Sequence, residues 1–225
     1  MKSESLKLQA YHILKEKIIY CSYPPGGQLN EELLQEEMGM SRTPIRDALS
    51  RLEQEGLVTI RSKKGITVEP LRIKELNMIY EVRLLLECYA LTTYGEVLDA
   101  DRILEFYQIF SNADKLTEEE YYRMDDAFHA MLISAIPNRY IAQSYEQITN
   151  QNTRVRVLTG HRTARRLAET NAEHLAILVA CMKRNWKQAA ECMQEHLNNS
   201  KSAAFDLLLK QNNAIQATDS LNSCP

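Results

Sequence analysis

His129, His174 and His196, with Asp125 one helical turn before the first of them, are the side chains best suited to chemistry in this sequence. Three imidazoles and a carboxylate form a mixed nitrogen and oxygen donor set that suits a divalent transition ion. Asp125 and His129 are four residues apart, so on a helix they share a face. Asp126, three residues before His129, competes for the same place. His174 and His196 lie on either side of a break at Arg184-Asn185, at similar distances from it. Two antiparallel helices joined at that break would bring both imidazoles to one level. A lone helical histidine is ordinarily a surface or a satisfied core residue, so convergence is what would make this set a site. His12 and His161 lack matching partners. Glu173 reads as easily as a surface charge as a partner of the set, and Cys181 and Cys192 read as small core residues.

The elements that must position this set are helical. From Ile73 onward the strand signal vanishes, and apolar periodicity predicts helices near 73–98, 100–113, 118–135, 138–158, 164–184 and 186–210. Pro137-Asn138, Thr159-Gly160 and Arg184-Asn185 mark the breaks. The polar stretch after about residue 212 is expected to fray.

The first 70 residues read differently. Leu6, Leu8, Tyr11, Ile13, Leu14 and Ile18 predict a helix over 6–20, ended by Pro24-Pro25-Gly26-Gly27. Leu29 to Met38 reads as a second helix with Leu33, Leu34 and Met38 inward, stopped by Gly39. Ser41 is placed to cap a third helix, with Pro44 in its first turn and Ile45, Ala48, Leu49 and Leu52 as its buried stripe. Residues 57–61 and 66–68 read as two short strands around a Ser62-Lys63-Lys64-Gly65 turn. Three helices and a hairpin form a winged-helix pattern. Helices two and three, joined by Gly39-Met40-Ser41, form the helix-turn-helix within it. Arg42, Arg46 and Ser50 recur at i, i+4, i+8 opposite the apolar stripe, and a planar guanidinium suits guanine edges and phosphate. Thr43 and the amides at the start of that helix could bind phosphate, and Lys63 and Lys64 could reach backbone or minor groove.

Composition agrees with a helical, cytoplasmic protein. Apolar residues make up 44 % of the 225, and only 7 Gly and 6 Pro interrupt them. The net charge of −3 argues against nucleic acid only on average, because residues 41–65 hold six basic and three acidic side chains. Four glutamates (31, 32, 36 and 37) crowd the second helix. No apolar run is long enough to span a bilayer, and the polar start of the chain suggests no export signal. Five cysteines without C-x-x-C spacing predict reduced thiols rather than a disulfide framework.

Leu29-Asn30-Glu31-Glu32-Leu33, Ser41-Arg42-Thr43-Pro44-Ile45-Arg46-Asp47-Ala48-Leu49 and Leu52-Glu53-x-Glu55-Gly56-Leu57-Val58 resemble the GntR family of bacterial transcription regulators. Pro24-Pro25-Gly26-x-x-Leu29 and the wing glycine Gly65 fit as well. Asp47 stands where that family usually has Glu. The resemblance covers about residues 6–70. It implies a homodimer on a pseudo-palindromic double-stranded operator, with contacts on Arg42, Thr43 and Arg46 and on the wing at Lys63 to Gly65. The rest resembles the FCD effector domain of the FadR-type subfamily, over about 72–210. The residues that carry this are Glu81-Val82-Arg83-x-x-x-Glu87, Asp125-x-x-x-His129, Glu173-His174-x-x-Ile177-Leu178 and Met193-x-x-His196-Leu197.

This second resemblance implies that Asp125, His129, His174 and His196 ligate a divalent metal, with zinc first and nickel, manganese or iron as alternatives. It implies a small carboxylate effector: a citrate-like acid, a dicarboxylate, a hydroxy acid or a sugar acid. Arg83, in the matching motif, is the first choice to neutralise it, and Arg154 and Arg156 are further candidates. The expected fold is mainly α: a winged helix over 1–70, an antiparallel FCD-like helical bundle over 71–212 and a flexible tail over 213–225. The expected function is a repressor released by its effector. A purely structural metal and a metal-dependent hydrolase are the alternatives.

Overall fold

The computed structural model describes residues 5–62, 65–158 and 164–222. It divides into two compact units, one of residues 1–72 with 153–158 and one of the remainder.

In the first unit, α1 (Leu6–Ile19), α2 (Glu31–Met38) and α3 (Arg42–Gln54) enclose an apolar core with a three-stranded antiparallel sheet. Ile45, Ala48, Leu49 and Leu52 are all buried, as their spacing requires. They meet Ala10, Tyr11, Leu14 and Ile18 of α1. The sheet orders β1 (Gln28–Leu29), β3 (Gly65–Val68) and β2 (Val58–Arg61), with Leu29 opposite Ile66 and Val58 opposite Val68.

The strand β1 corrects the expected second helix. Leu29 belongs to the sheet, and Asn30 caps α2 by accepting from the backbone N–H groups of Glu32 (2.8 Å) and Leu33 (3.3 Å). With the helix starting at Glu31, its inward face runs through Leu34 and Met38, four residues apart. Leu33 lies 100° around the axis and is 62 % exposed. Gly39 ends α2 at φ +61°, a conformation that costs a glycine little. Ser41 occupies the cap position of α3, but its side chain makes no capping hydrogen bond. The wing residues Lys63 and Lys64 lie outside the described residues, as do His161 and the expected Thr159-Gly160 break.

The second unit is built from α4 (Ile73–Tyr94), α5 (Ala100–Ser111), α6 (Glu118–Ser134), most of α7 (Arg139–Leu158), α8 (Ala164–Met182) and α9 (Trp186–Asn222). The long α9 packs on α4 and α8, α5 packs on α8, and α6 packs on α4 and α5. Thr117 starts α6 with a reciprocal capping box to Glu120. The predicted break at Arg184-Asn185 is the α8–α9 turn, where Arg184 has φ +55°. The helix α9 continues to Asn222, past the expected fraying point, because no Gly or Pro interrupts the sequence there. No helix among the described residues is long and apolar enough to cross a membrane. The thiols of Cys21, Cys88, Cys181 and Cys192 are free.

The α8–α9 turn, which sets the level of His174 against His196, is fastened to the end of α4. Trp186 donates from Nε1 to Glu96 at 2.6 Å, and Arg184 pairs with the same carboxylate. Gly95 lies against the indole, and a Cβ there would sit 2.3 Å from a Trp186 ring carbon. Gly95→Ala is therefore expected to destabilise the chain by about 1–3 kcal/mol through overpacking. Thermal unfolding followed by the fluorescence of Trp186, the single tryptophan, measures this. An unchanged melting temperature would contradict the packing described.

Candidate metal centre and nucleic-acid interface

Asp125 and His129 project from one face of α6, His174 comes from α8 and His196 from α9. All four are buried, and one potential ligand atom from each lies within 4.8 Å of the others. Asp125 enters this group, not its neighbour Asp126. The Asp125 Oδ1 oxygen is 3.1 Å from His174 Nε2 and 3.8 Å from His129 Nε2. The imidazole centroids are 4.5–5.5 Å apart.

Each imidazole is held from behind. His129 Nδ1 is 2.6 Å from Glu87 Oε2, His196 Nδ1 is 2.8 Å from Glu173 Oε2, and His174 Nδ1 is 3.3 Å from the Tyr121 hydroxyl. A carboxylate can only accept, so His129 and His196 carry their proton on Nδ1 and leave the Nε2 lone pair free to coordinate. His129 Nε2 is buried and makes no hydrogen bond. An inward-facing imidazole nitrogen without a proton partner, beside a carboxylate and two more imidazoles, fits a divalent cation. Phe110 and Phe128 pack on the rings and keep the surroundings apolar.

The outer carboxylates are themselves anchored. Glu87 of α4 is fully buried and accepts from Arg83 Nε (2.7 Å), His129 Nδ1 (2.6 Å) and the Tyr145 hydroxyl (2.6 Å). Burial works to raise its pKa, but Arg83 and His129 outweigh this and hold it at about 2. Glu173, which in the sequence reads as easily as a surface charge, is half-buried and gathers His196, both terminal nitrogens of Arg166, and Asn199. Burial is again outweighed by these donors, leaving its pKa at about 2. The pKa of His196 falls to about 3, first through burial and then through the nearby His174, so its imidazole is neutral. None of these second partners was visible from spacing. Arg83 and Glu87 stand four apart in the FCD-like motif, and that spacing by itself points to no partner on another helix.

Arg83 is 4 % exposed and is linked to His129 through Glu87. Arg154 and Arg156, also buried, lie in the segment of α7 that groups with the first unit. There Arg154 donates to the Glu69 carbonyl, and Arg156 donates to the Thr153 hydroxyl at 3.2 Å.

On the first unit, Arg42 and Arg46 line a groove of about 740 Å³ between α3 and the wing, together with Glu31, Arg61 and Gly65. Arg61, not singled out in the sequence, belongs to this basic face. Glu31 accepts from the Nε of both Arg42 and Arg46. Thr43 is exposed on the same helix. Ser50 lines a separate depression against α1, with Asp47 and Arg51, because eight residues carry the helix 80° past two full turns. Arg51 lies 3.7 Å over the Tyr11 ring and pairs with Glu55.

The profile of the FCD domain matches residues 78–199, more than half the chain, and that of the bacterial regulatory proteins of the gntR family matches residues 6–68. The chain belongs to the GntR family and carries an FCD domain. It is 27 % identical over 202 residues to the HTH-type transcriptional repressor GlaR of Escherichia coli (strain K12), covering 84 % of this chain and 91 % of GlaR. The structure of E. coli McbR/YncC superposes with a TM-score of 0.77 at 21 % identity, over 91 % of this chain and 99 % of that one. The Zn2+-bound FCD domain of TM0439 has a TM-score of 0.54 at 23 % identity, over 61 % of this chain and 96 % of that one. The chain is thus a DNA-binding transcription regulator of the GntR/FCD type rather than an enzyme. As a GntR regulator it binds operator DNA, for which the dimer is the typical form of the family.

Proposed function

We propose that this regulator holds a divalent metal in its helical unit and that a small carboxylate bound there sets its affinity for operator DNA. The observation that carries the reading is the second partner on each imidazole. Glu87, Tyr121 and Glu173 lie against Nδ1, and the Nε2 atoms of His174 and His129 stand 3.1 and 3.8 Å from Asp125. Asp125, His129, His174 and His196 would hold the ion. When bound, it supplies coordination positions beyond these four donors, which carboxylate oxygens suit. Zinc is the first assignment, supported by the donor set and by the zinc-bound FCD domain of TM0439, and nickel, manganese and iron accept the same donors. Arg83, linked to His129 through Glu87, is the first candidate to neutralise the effector, with Arg154 and Arg156 kept as further candidates from the sequence alone. Citrate-like acids, dicarboxylates, hydroxy acids and sugar acids match this chemistry. The name of GlaR supports a repressor.

At the DNA end, Arg42 and Arg46 read base edges. Thr43, Ser50, Lys63, Lys64 and Gly65 contact backbone, and two copies of the chain address two half-sites. Arg46→Ala is expected to weaken operator binding about 10- to 100-fold. The operator is a duplex selected from a randomised library by the zinc-loaded chain. A gel shift indistinguishable from wild type at every salt concentration would sink this assignment. For the effector, citrate, succinate, lactate and gluconate are titrated against the operator complex. At least one acid is expected to shift affinity tenfold or more with zinc present and to lose that effect after chelation. Operator affinity unmoved by all four acids would favour a purely structural ion.

A further inference from the structure

The groove between α3 and the wing contains a carboxylate that the DNA reading above does not use. Glu31 is the first residue of α2. Its Oε2 accepts from Arg42 Nε at 2.7 Å, and its two oxygens accept from Arg46 Nε at 3.0 and 3.1 Å. The Glu31 side chain is 20 % exposed, against 62 % for Arg42 and 58 % for Arg46. The carboxylate is thus a seat beneath two exposed guanidiniums. Local structure fixes it there. Asn30 caps the helix immediately before it, and Gln35 Nε2 donates to the Glu31 carbonyl at 3.1 Å. An acid in the first turn also faces the positive end of the helix dipole.

An acid on a DNA-facing surface is at first sight a defect, because it repels phosphate. Its geometry gives it another use. A guanidinium bound through Nε keeps both terminal nitrogens available, and such donors match the O6 and N7 acceptors of guanine. Glu31 also lowers the charge of the trio from +2 to +1, which weakens attraction to any duplex regardless of sequence. We infer that Glu31 is a positioning residue for sequence selectivity: it presets Arg42 and Arg46 for base edges and disfavours indiscriminate phosphate contacts. This rests on the assignment of α3 as the DNA-reading helix.

The test compares wild type, Glu31→Gln and Glu31→Ala, each as the zinc-loaded full chain. The probes are the duplex selected by wild type and a scrambled duplex of equal length, over a range of salt. Both variants are expected to bind the scrambled duplex more tightly at low salt. The slope of log affinity against log salt should steepen by about one. The ratio of selected to scrambled affinity should fall about tenfold. A variant that merely folds poorly would weaken on both duplexes without a steeper slope. That pattern, or a ratio within about twofold of wild type, would overturn the proposal. So would weakening confined to the selected duplex, which would make Glu31 a direct base contact. If wild type selects no sequence at all, the DNA-reading assignment itself falls. Selection by wild type with an unchanged ratio in the variants removes only the role of Glu31.

Discussion

Glu87→Gln is expected to destabilise the chain by about 3–5 kcal/mol and to lower its melting temperature by about 10 °C. The substitution preserves shape but removes the charge that Arg83 faces in the interior. Arg83 is 4 % exposed and donates to Glu87 at 2.7 Å, so without the carboxylate its charge is buried and uncompensated. Burial works against that charge, but Glu87 outweighs it and keeps Arg83 protonated. The hydrogen bond from Tyr145 would survive on the amide oxygen, whereas the oxygen that His129 Nδ1 faces would be replaced by an amide nitrogen, which cannot accept. Metal affinity should therefore fall as well, by about 10- to 100-fold. Melting the chelated protein isolates the stability effect, and repeating it with zinc adds the effect on the metal centre. A chelated variant that melts with wild type would show that the Arg83–Glu87 pair is not held as described.

His174→Ala is expected to reduce metal affinity by about 100-fold or more, above the usual cost of losing an outer-shell partner. His174 is fully buried, its Nε2 lies 3.1 Å from Asp125, and its Nδ1 rests on the Tyr121 hydroxyl. Deleting it removes one of four donors and leaves that hydroxyl facing a void. The first unit has its own core and should keep its fold and its affinity for scrambled duplex. Competition against a chromophoric chelator gives the metal affinity directly. Glu173→Gln provides the scale: it keeps every ligand but weakens the hold on His196, so about a tenfold loss is expected. Equal affinity in wild type and His174→Ala would remove His174 from the set.

Much of this arrangement was legible because helices write their buried faces into the chain at fixed spacing. The α3 stripe of Ile45, Ala48, Leu49 and Leu52 is buried as read, and Asp125 and His129 share a face of α6. The break at Arg184-Asn185 brings His174 and His196 together because the two histidines stand at similar distances from a turn between antiparallel helices. Spacing could not choose between Asp125 and Asp126. Both fall near the face of His129, but Asp125 is buried beside His174 of α8, whereas Asp126 is only half-buried. Nor could it find the contacts of Glu87, whose partners His129 and Tyr145 lie 42 and 58 residues away on other helices. Glu173 shows the same limit: half-buried between Arg166 and His196, it reads in one dimension as easily as a surface acid. In the first unit, the two-residue strand at Gln28–Leu29 is too short to show alternation. In the sequence Leu29 therefore reads as part of the following helix and Leu33 as inward with it, whereas Leu29 pairs in the sheet and Leu33 is exposed.

Native mass spectrometry of the purified chain reads out whether the buried Asp125, His129, His174 and His196 hold one divalent ion. The expected result is one ion per folded chain, removed by chelation, restored by zinc and not acquired by His174→Ala. A folded wild-type chain that takes up no ion even in excess zinc, or a His174→Ala chain that carries the same ion as tightly, would contradict it.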